Sequence, residues 1–376
     1  MAFDIRTGGP LISAWAAVSP WGRHGADFAD GLVAGRRTEQ PVDPAEWTVP
    51  QPTACLVPDF RIKEVLGRKG TRSMDRATGL AVTALRQLLT DDDDGAAADG
   101  TGGRLPGVGE DAGLALGTST GSAQSSMDLT RESLTSSRPF FVDPARVPNS
   151  VMNCATGASA IWHRLKGPNA TVAGGRAAGL LALRYALRLH RAGRADTVLC
   201  GAVEEFSSAR AWLDWHSRPA GQPPAVLGEG AAFWLMEPAA TAAAHGRGGL
   251  AEVAGLEFGF AAEPDAAGPV LTEVLQRLLA TTGTTPDQLW AVAASHAPGA
   301  EGEAERAALD ALLGDHTPVR PAPAESIGDT CAASAAFQIT AVLALAERGD
   351  AEPGSPALIT SVDRDGVVGA ALLRIR

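Results

Sequence analysis

Four cysteines and seven histidines are the side chains of this 376-residue chain best suited to act as nucleophile, general base or metal ligand. Cys55, Cys154, Cys200 and Cys331 form no CxxC pair. No disulfide framework or zinc site is expected, and a reducing, cytoplasmic compartment is the default. His24, His163, His190, His216, His245 and His316 show no metal-ligand spacing and read as ordinary surface or helix residues. Neither a metal nor another cofactor is expected. Cys331 stands close to the start of a helical pattern, where the helix dipole can favour a thiolate. The preferred reading is a small buried residue in a tight helix–sheet contact, while Cys154, inside a predicted helix, and Cys200, in a buried strand, are most simply core residues. His296, in the run LWAVAASHAPG, is either a base or a polar side chain satisfied by its neighbours, and the second is preferred. Gly174-Gly175 lacks a GxxxxGK pattern and reads as a close-packed turn, not a phosphate cradle.

Positioning such groups falls to a chain of ordinary globular make-up, 45% hydrophobic and 20% charged. Its length suits two domains or one large duplicated α/β unit. The net charge of -11 comes without a Lys/Arg block, so nucleic acid and anionic membrane are poor partners. An acidic carrier protein would need a local basic patch or a second subunit to dock. Asp4 and Arg6 precede no apolar segment of signal-peptide type, and no run of about 18 apolar residues offers a membrane span.

Residues 11–18, LISAWAAV, end at Ser19-Pro20 and read as a buried strand. Over 73–90, Met74, Ala77, Leu80, Ala81, Ala84, Leu85 and Leu88 share one face, which predicts an amphipathic helix. Asp91–Asp94 open a Gly/Ala/Asp-rich stretch to about 110, read as a solvated loop in preference to a docking tail. A strand over 112–117, helices near 127–135 and 150–164, and a strand over 169–173 follow. Then come the turn at Gly174-Gly175, a long helix, and the apolar strand TVLCGAV over 197–203. The same order returns late. Ser326-Ile327-Gly328 leads into CAASAAFQITAVLALAERG, and PALITSV over 356–362 is a buried strand. Strands alternating with helices predict parallel sheets covered by helices. The repeat predicts two similar halves, 1–240 and 248–376, joined near 238–250.

Six segments, taken in order, resemble the β-ketoacyl synthase family. They are Ala17-Val18-Ser19-Pro20-Trp21-Gly22, Leu116-Gly117-Thr118, and Pro139-Phe140-Phe141 with Val147-Pro148-Asn149. Leu165-Lys166-Gly167-Pro168-Asn169, the stretch Ala195 to Glu204, and Val226-Leu227-Gly228-Glu229-Gly230-Ala231 complete the set. The resemblance runs over almost the whole chain. It implies an α/β, thiolase-like fold: a duplicated αβαβα five-layer architecture with two mixed, mainly parallel sheets.

The same resemblance implies a degenerate active site. An active member needs a cysteine thiolate at a helix N-terminus, in a "TACAS" elbow, and two histidines that stabilise charge during decarboxylation and condensation. Here the elbow reads Ala173-Gly174-Gly175-Arg176-Ala177-Ala178-Gly179, which puts Arg176 where the nucleophile belongs. A guanidinium stays protonated and cannot carry an acyl group. The "HGTGT" histidine is retained as His296. The "KSxIGHT" stretch reads Ala324 to Thr330, so lysine becomes Ala324 and histidine becomes Asp329. The "NSFGFGG" gate reads Thr360 to Gly366, and its aromatic is replaced by charge. In such a fold the two altered positions converge, so Arg176 is expected to pair with Asp329, with Glu325 nearby.

By resemblance, then, no catalytic residue is expected, and the chain alone should have no activity. Its role would be that of a chain-length factor: a heterodimeric partner of a catalytic ketosynthase subunit in a type II polyketide or polyene synthase, working on an acyl chain held by acyl carrier protein. Met127, Leu129, Leu134, Phe140 and Phe141 are the candidate interface and tunnel wall. The alternatives are a stand-alone thiolase-fold acyltransferase or related enzyme using His296, with Asp329 or Cys331, and a homodimeric carrier-binding module.

Overall fold

The computed structural model describes residues 9–90 and 104–376, and the acidic run at 91–94 lies outside them. Among the described residues nine strands form one large sheet: β1 (Leu11–Val18), β2 (Gly113–Thr118), β3 (Asn169–Ala173), β4 (Val198–Glu204), β5 (Gly230–Glu237), β6 (Ala251–Phe260), β7 (Ala291–Ala293), β8 (Pro356–Val362) and β9 (Val367–Ile375). The helices that matter here are α1 (Gly25–Ala34), α2 (Arg76–Leu89), α3 (Ala123–Thr135), α4 (Cys154–Trp162), α5 (Ala178–Arg191), α6 (Ser208–Ser217), α7 (Ala267–Thr282), α8 (Ala300–Leu313) and α9 (Ser334–Leu345).

The strand order is β3-β2-β4-β5-β1-β6-β9-β8-β7. Read outward from the centre, β1-β5-β4-β2-β3 on one side matches β6-β9-β8-β7 on the other. The place of β3 is taken there by Val319, which bridges Ala291 in parallel. The pairings match too: antiparallel, antiparallel, then parallel in each half. This is the duplication that the repeated turn–helix–strand order predicts.

The two mixed sheets expected of the fold are present and are joined edge to edge. Leu11 and Ile12 of β1 pair with Glu252 and Ala251 of β6, which joins the halves into one mixed sheet. Its centre is antiparallel because β5 and β9 each run beside the first strand of their half and close its sheet. Parallel pairs occupy the outer parts, where crossover helices return the chain.

Helices fill the layers as the apolar patterns demand. Alternate residues of β1, β4 and β5 face two different cores. Val18, Leu199, Phe233 and Leu235 pack under α2 and α4. Ala17, Cys200, Trp234 and Met236 pack against α1, α5 and α9 in the middle layer. Leu358, Val368 and Leu372 face α7 and α8 on the far side. In the middle layer Phe28 stacks on Phe337 at 5.6 Å between ring centroids, and the Trp234 indole N–H donates to Thr340 Oγ1 at 3.1 Å. Burying each such ring stabilises the fold by about 1.5–3 kcal/mol. Helix α2 starts at Arg76 instead of residue 73, less than one turn being trimmed by the Asp75 cap, whose carboxylate accepts the Thr78 N–H at 2.7 Å. Among the described residues no helix is long and apolar enough to cross a membrane.

Candidate functional site

Strand β3 ends at Ala173, and the chain turns through Gly174-Gly175 into a 3₁₀ turn, Gly175–Ala177, that opens α5. Gly175 has φ +50°, and a Cβ there would lie 2.2 Å from Asp363 Oδ2. Only glycine fits this elbow. The turn delivers Arg176 into the protein, where it is 8% exposed. Its Nη1 donates to Asp329 Oδ1 at 2.7 Å and its Nη2 to Oδ2 at 2.9 Å, a bidentate fork. Its backbone N–H donates to Asp363 Oδ2 at 2.6 Å.

Asp329 lies in the tight segment between Gly328 and the 3₁₀ turn Cys331–Ala333 that opens α9. The two helix-opening turns of the two halves thus meet, one bringing a cation and the other its counter-charge. Asp329 Oδ1 also accepts the Cys331 N–H at 2.9 Å. Burial acts to raise the Asp329 carboxyl, but Arg176 outweighs it, and the acid is held well below the usual carboxylate range. Arg176 answers in kind: burial lowers it, the carboxylate raises it further, and the net shift is upward. The pair is ionised across the whole working pH range.

Arg210 of α6 is a part of this site that no sequence pattern singled out. Its guanidinium donates to the carbonyls of Asp329 at 2.7 Å, Gly228 at 2.6 Å and Glu205 at 2.8 Å. It also lies 3.9 Å from Glu204. Asp363 belongs to the gate segment noted above for its charge, but its grip on the Arg176 N–H depends on the Gly175 turn. A cavity of about 420 Å³ remains in front of the pair, lined by Ser119, Arg176, Arg210, Asp214, Asp329 and Arg364 among others.

His296 lies past the end of β7, at φ +50°. Its Nδ1 is 3.5 Å from Glu325 Oε1, and both line a second cavity of about 260 Å³ that also meets Asp329 and Cys55. Glu325 therefore pairs with His296, while the Asp329 carboxylate is taken by Arg176. Cys331 does start a helical turn, yet its surroundings reverse the dipole's effect. Burial first and Glu204 second push its thiol up to about 12. Iodoacetamide at pH 8 is accordingly expected to leave Cys331 unmodified in the folded protein over a time that labels the urea-unfolded chain fully, as read by peptide mass spectrometry. Rapid native labelling at Cys331 would contradict this. Cys154 is the first residue of α4, not interior to it, and its Sγ lies 3.2 Å from Asn149 Oδ1. Among the described residues no cluster of His, Cys, Asp and Glu is placed to hold a metal.

The remaining candidates gather elsewhere. Met127 and Leu134 of α3, and Phe140 and Phe141 of the following loop, are 43%, 80%, 69% and 52% exposed, while Leu129 is half-buried. None of the five lines either cavity. The two phenylalanines meet edge to face at 5.0 Å with Arg138 over both. Val147, Val151, Met152 and Ile161 add exposed apolar surface close by in the chain.

The comparisons with known proteins agree with this fold. The model of the β-ketoacyl synthase N-terminal domain matches residues 11–242. The 3-oxoacyl-[acyl-carrier-protein] synthase 2 of Coxiella burnetii is 26% identical over 332 residues, which cover 81% of this chain and 77% of that protein. The matched share of other curated relatives falls to 49%. Among solved structures, the ishigamide ketosynthase/chain length factor is similar at 43% identity and a TM-score of 0.91, with 98% of this chain and 99% of that one covered. A type II polyketide acyl-carrier protein complex with its ketosynthase shares the fold at 16% identity, with a TM-score of 0.78 and coverage of 98% and 99%. With the matching fold, the helix-opening elbow and the family model over more than half its length, the chain belongs to the β-ketoacyl synthase family.

Proposed function

We propose that this chain is a chain-length-factor-like subunit that pairs with a catalytic ketosynthase in a type II polyketide or polyene synthase and shapes the space for the acyl chain. The observation that carries the reading is the bidentate Arg176–Asp329 pair at the place where a family nucleophile and its histidine partner would stand. A buried, hydrogen-bonded guanidinium offers no lone pair for acyl transfer. Cys331, the thiol nearest the pair's backbone, is held protonated by burial and by Glu204. The likeness to a ketosynthase/chain length factor at 43% identity supports the same reading. So does the apolar surface of α3 and its loop, which a lone soluble chain gains nothing by exposing. The acyl carrier protein would then deliver its chain to the partner's thiol, and this subunit would bound the product's length.

Co-expression with a neighbouring ketosynthase that has an intact cysteine and two histidines tests this. A stable 1:1 heterodimer by native mass spectrometry, with polyketide formation only when both chains are present, is the expected result. Turnover by the purified chain alone would favour the stand-alone enzyme through His296. A self-paired dimer that binds carrier without activity would favour a carrier-binding module.

A further inference from the structure

Helix α3 bears the exposed apolar face, yet among its described residues only Ala123 is buried. Packing of an apolar side is what normally fixes a helix in place, so α3 depends on polar contacts. Its later side-chain bonds, from Ser126, Ser133 and Glu132, run to the loop of 136–153 that follows it. Its root is tied to two acids, Glu204 at the end of β4 and Glu205 after it. Glu204 Oε1 accepts the Ser119 hydroxyl at 3.0 Å, just ahead of the helix. Glu205 Oε1 accepts the hydroxyl of Ser122, the N-cap of α3, and the Gln124 N–H, each at 3.2 Å. Gln124 Oε1 in turn accepts the Ala209 N–H of α6 at 3.0 Å.

The two acids are themselves held by Arg210, the residue after Ala209. Its Nη1 donates to the Glu205 carbonyl at 2.8 Å and the Gly228 carbonyl at 2.6 Å, and its Nη2 to the Asp329 carbonyl at 2.7 Å. Its Nε lies 3.9 Å from Glu204 Oε1. One planar fork thus joins the end of β4, the lead into β5 and the turn that carries Asp329. Glu204 Oε2 reaches the same turn, where it accepts the Ala332 N–H at 3.3 Å. Hydrogen bonds therefore run from the Arg176–Asp329 fork through Arg210 to the start of α3. We infer that Arg210 is the positioning residue of α3: it ties the turn bearing Asp329 to the root of that helix and so sets the pose of the exposed apolar face. That the face meets a ketosynthase rests on the reading above; that Arg210 sets its pose does not. Lysine cannot take over, because a single ammonium nitrogen cannot reproduce two nitrogens aimed at three separate carbonyls.

Hydrogen exchange of the full chain without any partner tests this. Arg210→Lys, which keeps the charge, should lower protection of the 122–135 peptide roughly threefold to tenfold and leave the far-side helix α7 within about twofold of wild type. Gln124→Met should act in the same direction more weakly. Combining the two should give less than the product of their separate effects, since both cut one path. Should Arg210→Lys fail to fold, Gln124→Met decides alone: α3 must loosen while α7 stays level. Unchanged protection of 122–135, an equal loss in α7, or fully multiplicative effects overturns the inference. Titration of Arg210→Lys with a ketosynthase then separates this from the chain-length reading. A loosened α3 with roughly tenfold weaker association is expected. A loosened α3 with unchanged association leaves the role of Arg210 standing and moves the partner off this face.

Discussion

Asp329→Ala is expected to destabilise the chain by about 3–5 kcal/mol, because it leaves the Arg176 charge buried without a partner. The magnitude rests on three features. The guanidinium is 8% exposed, so water can replace the lost oxygens only from the cavity side. It sits at a helix start, where the dipole already opposes a cation. Its carboxylate also accepts the Cys331 N–H, so the same substitution frees a second donor in the turn that opens α9. The readout is a fall in the urea midpoint. Arg176→Met combined with Asp329→Leu should recover most of the loss, since an apolar pair of similar bulk needs no counter-charge. A double-variant loss equal to the sum of the two single-variant losses would mean that the two side chains are not energetically coupled. The pH sign is the usual one for a depressed acid. The pair's contribution is present above the ordinary carboxylate range and is lost only as pH falls through the lowered value, so mild acid near pH 5 should not release it.

Much of this was legible before any coordinates. Two stretches with a small-residue turn, a long helix and an apolar strand, 168–205 and 326–362, required a duplicated α/β unit because each helix had to cover a strand of its own half. The Arg176–Asp329 pair was legible for an electrostatic reason: a cation at a helix start inside a packed protein demands an acid, and the family order placed one opposite. What was not legible depends on tertiary proximity. The two-residue bridge between β1 and β6 carries no pattern of its own. Arg210 lies on α6, and nothing in the sequence of that segment marks its one arginine as enclosed. The interface and tunnel reading of Met127, Leu129, Leu134, Phe140 and Phe141 rested on the resemblance; Leu129 is half-buried, the other four are exposed, and none lines the two cavities described above.

That surface leads to the second large effect. Leu134→Asp with Phe140→Asp is expected to weaken association with a ketosynthase partner roughly 100-fold, about 2.7 kcal/mol, while changing the lone chain's stability by no more than about 0.5 kcal/mol. The asymmetry comes from exposure. Leu134 is 80% and Phe140 69% exposed, so neither contributes much to the core of the free subunit. Phe140 and Phe141 are nonetheless held in place. The loop is pinned by Ser133 Oγ to the Pro139 carbonyl at 2.8 Å and Ser136 Oγ to the Phe141 carbonyl at 2.9 Å. Arg138 lies over both rings. A preorganised aromatic pair loses little entropy when a partner covers it, which is the property of an interface anchor. Titration of each variant with partner, followed by surface plasmon resonance and by thermal unfolding of the free chain, separates the two quantities. Unchanged affinity in the doubly charged variant would move the subunit contact off this face. A large loss of stability in the free chain would mean that these rings support the fold instead of a partner.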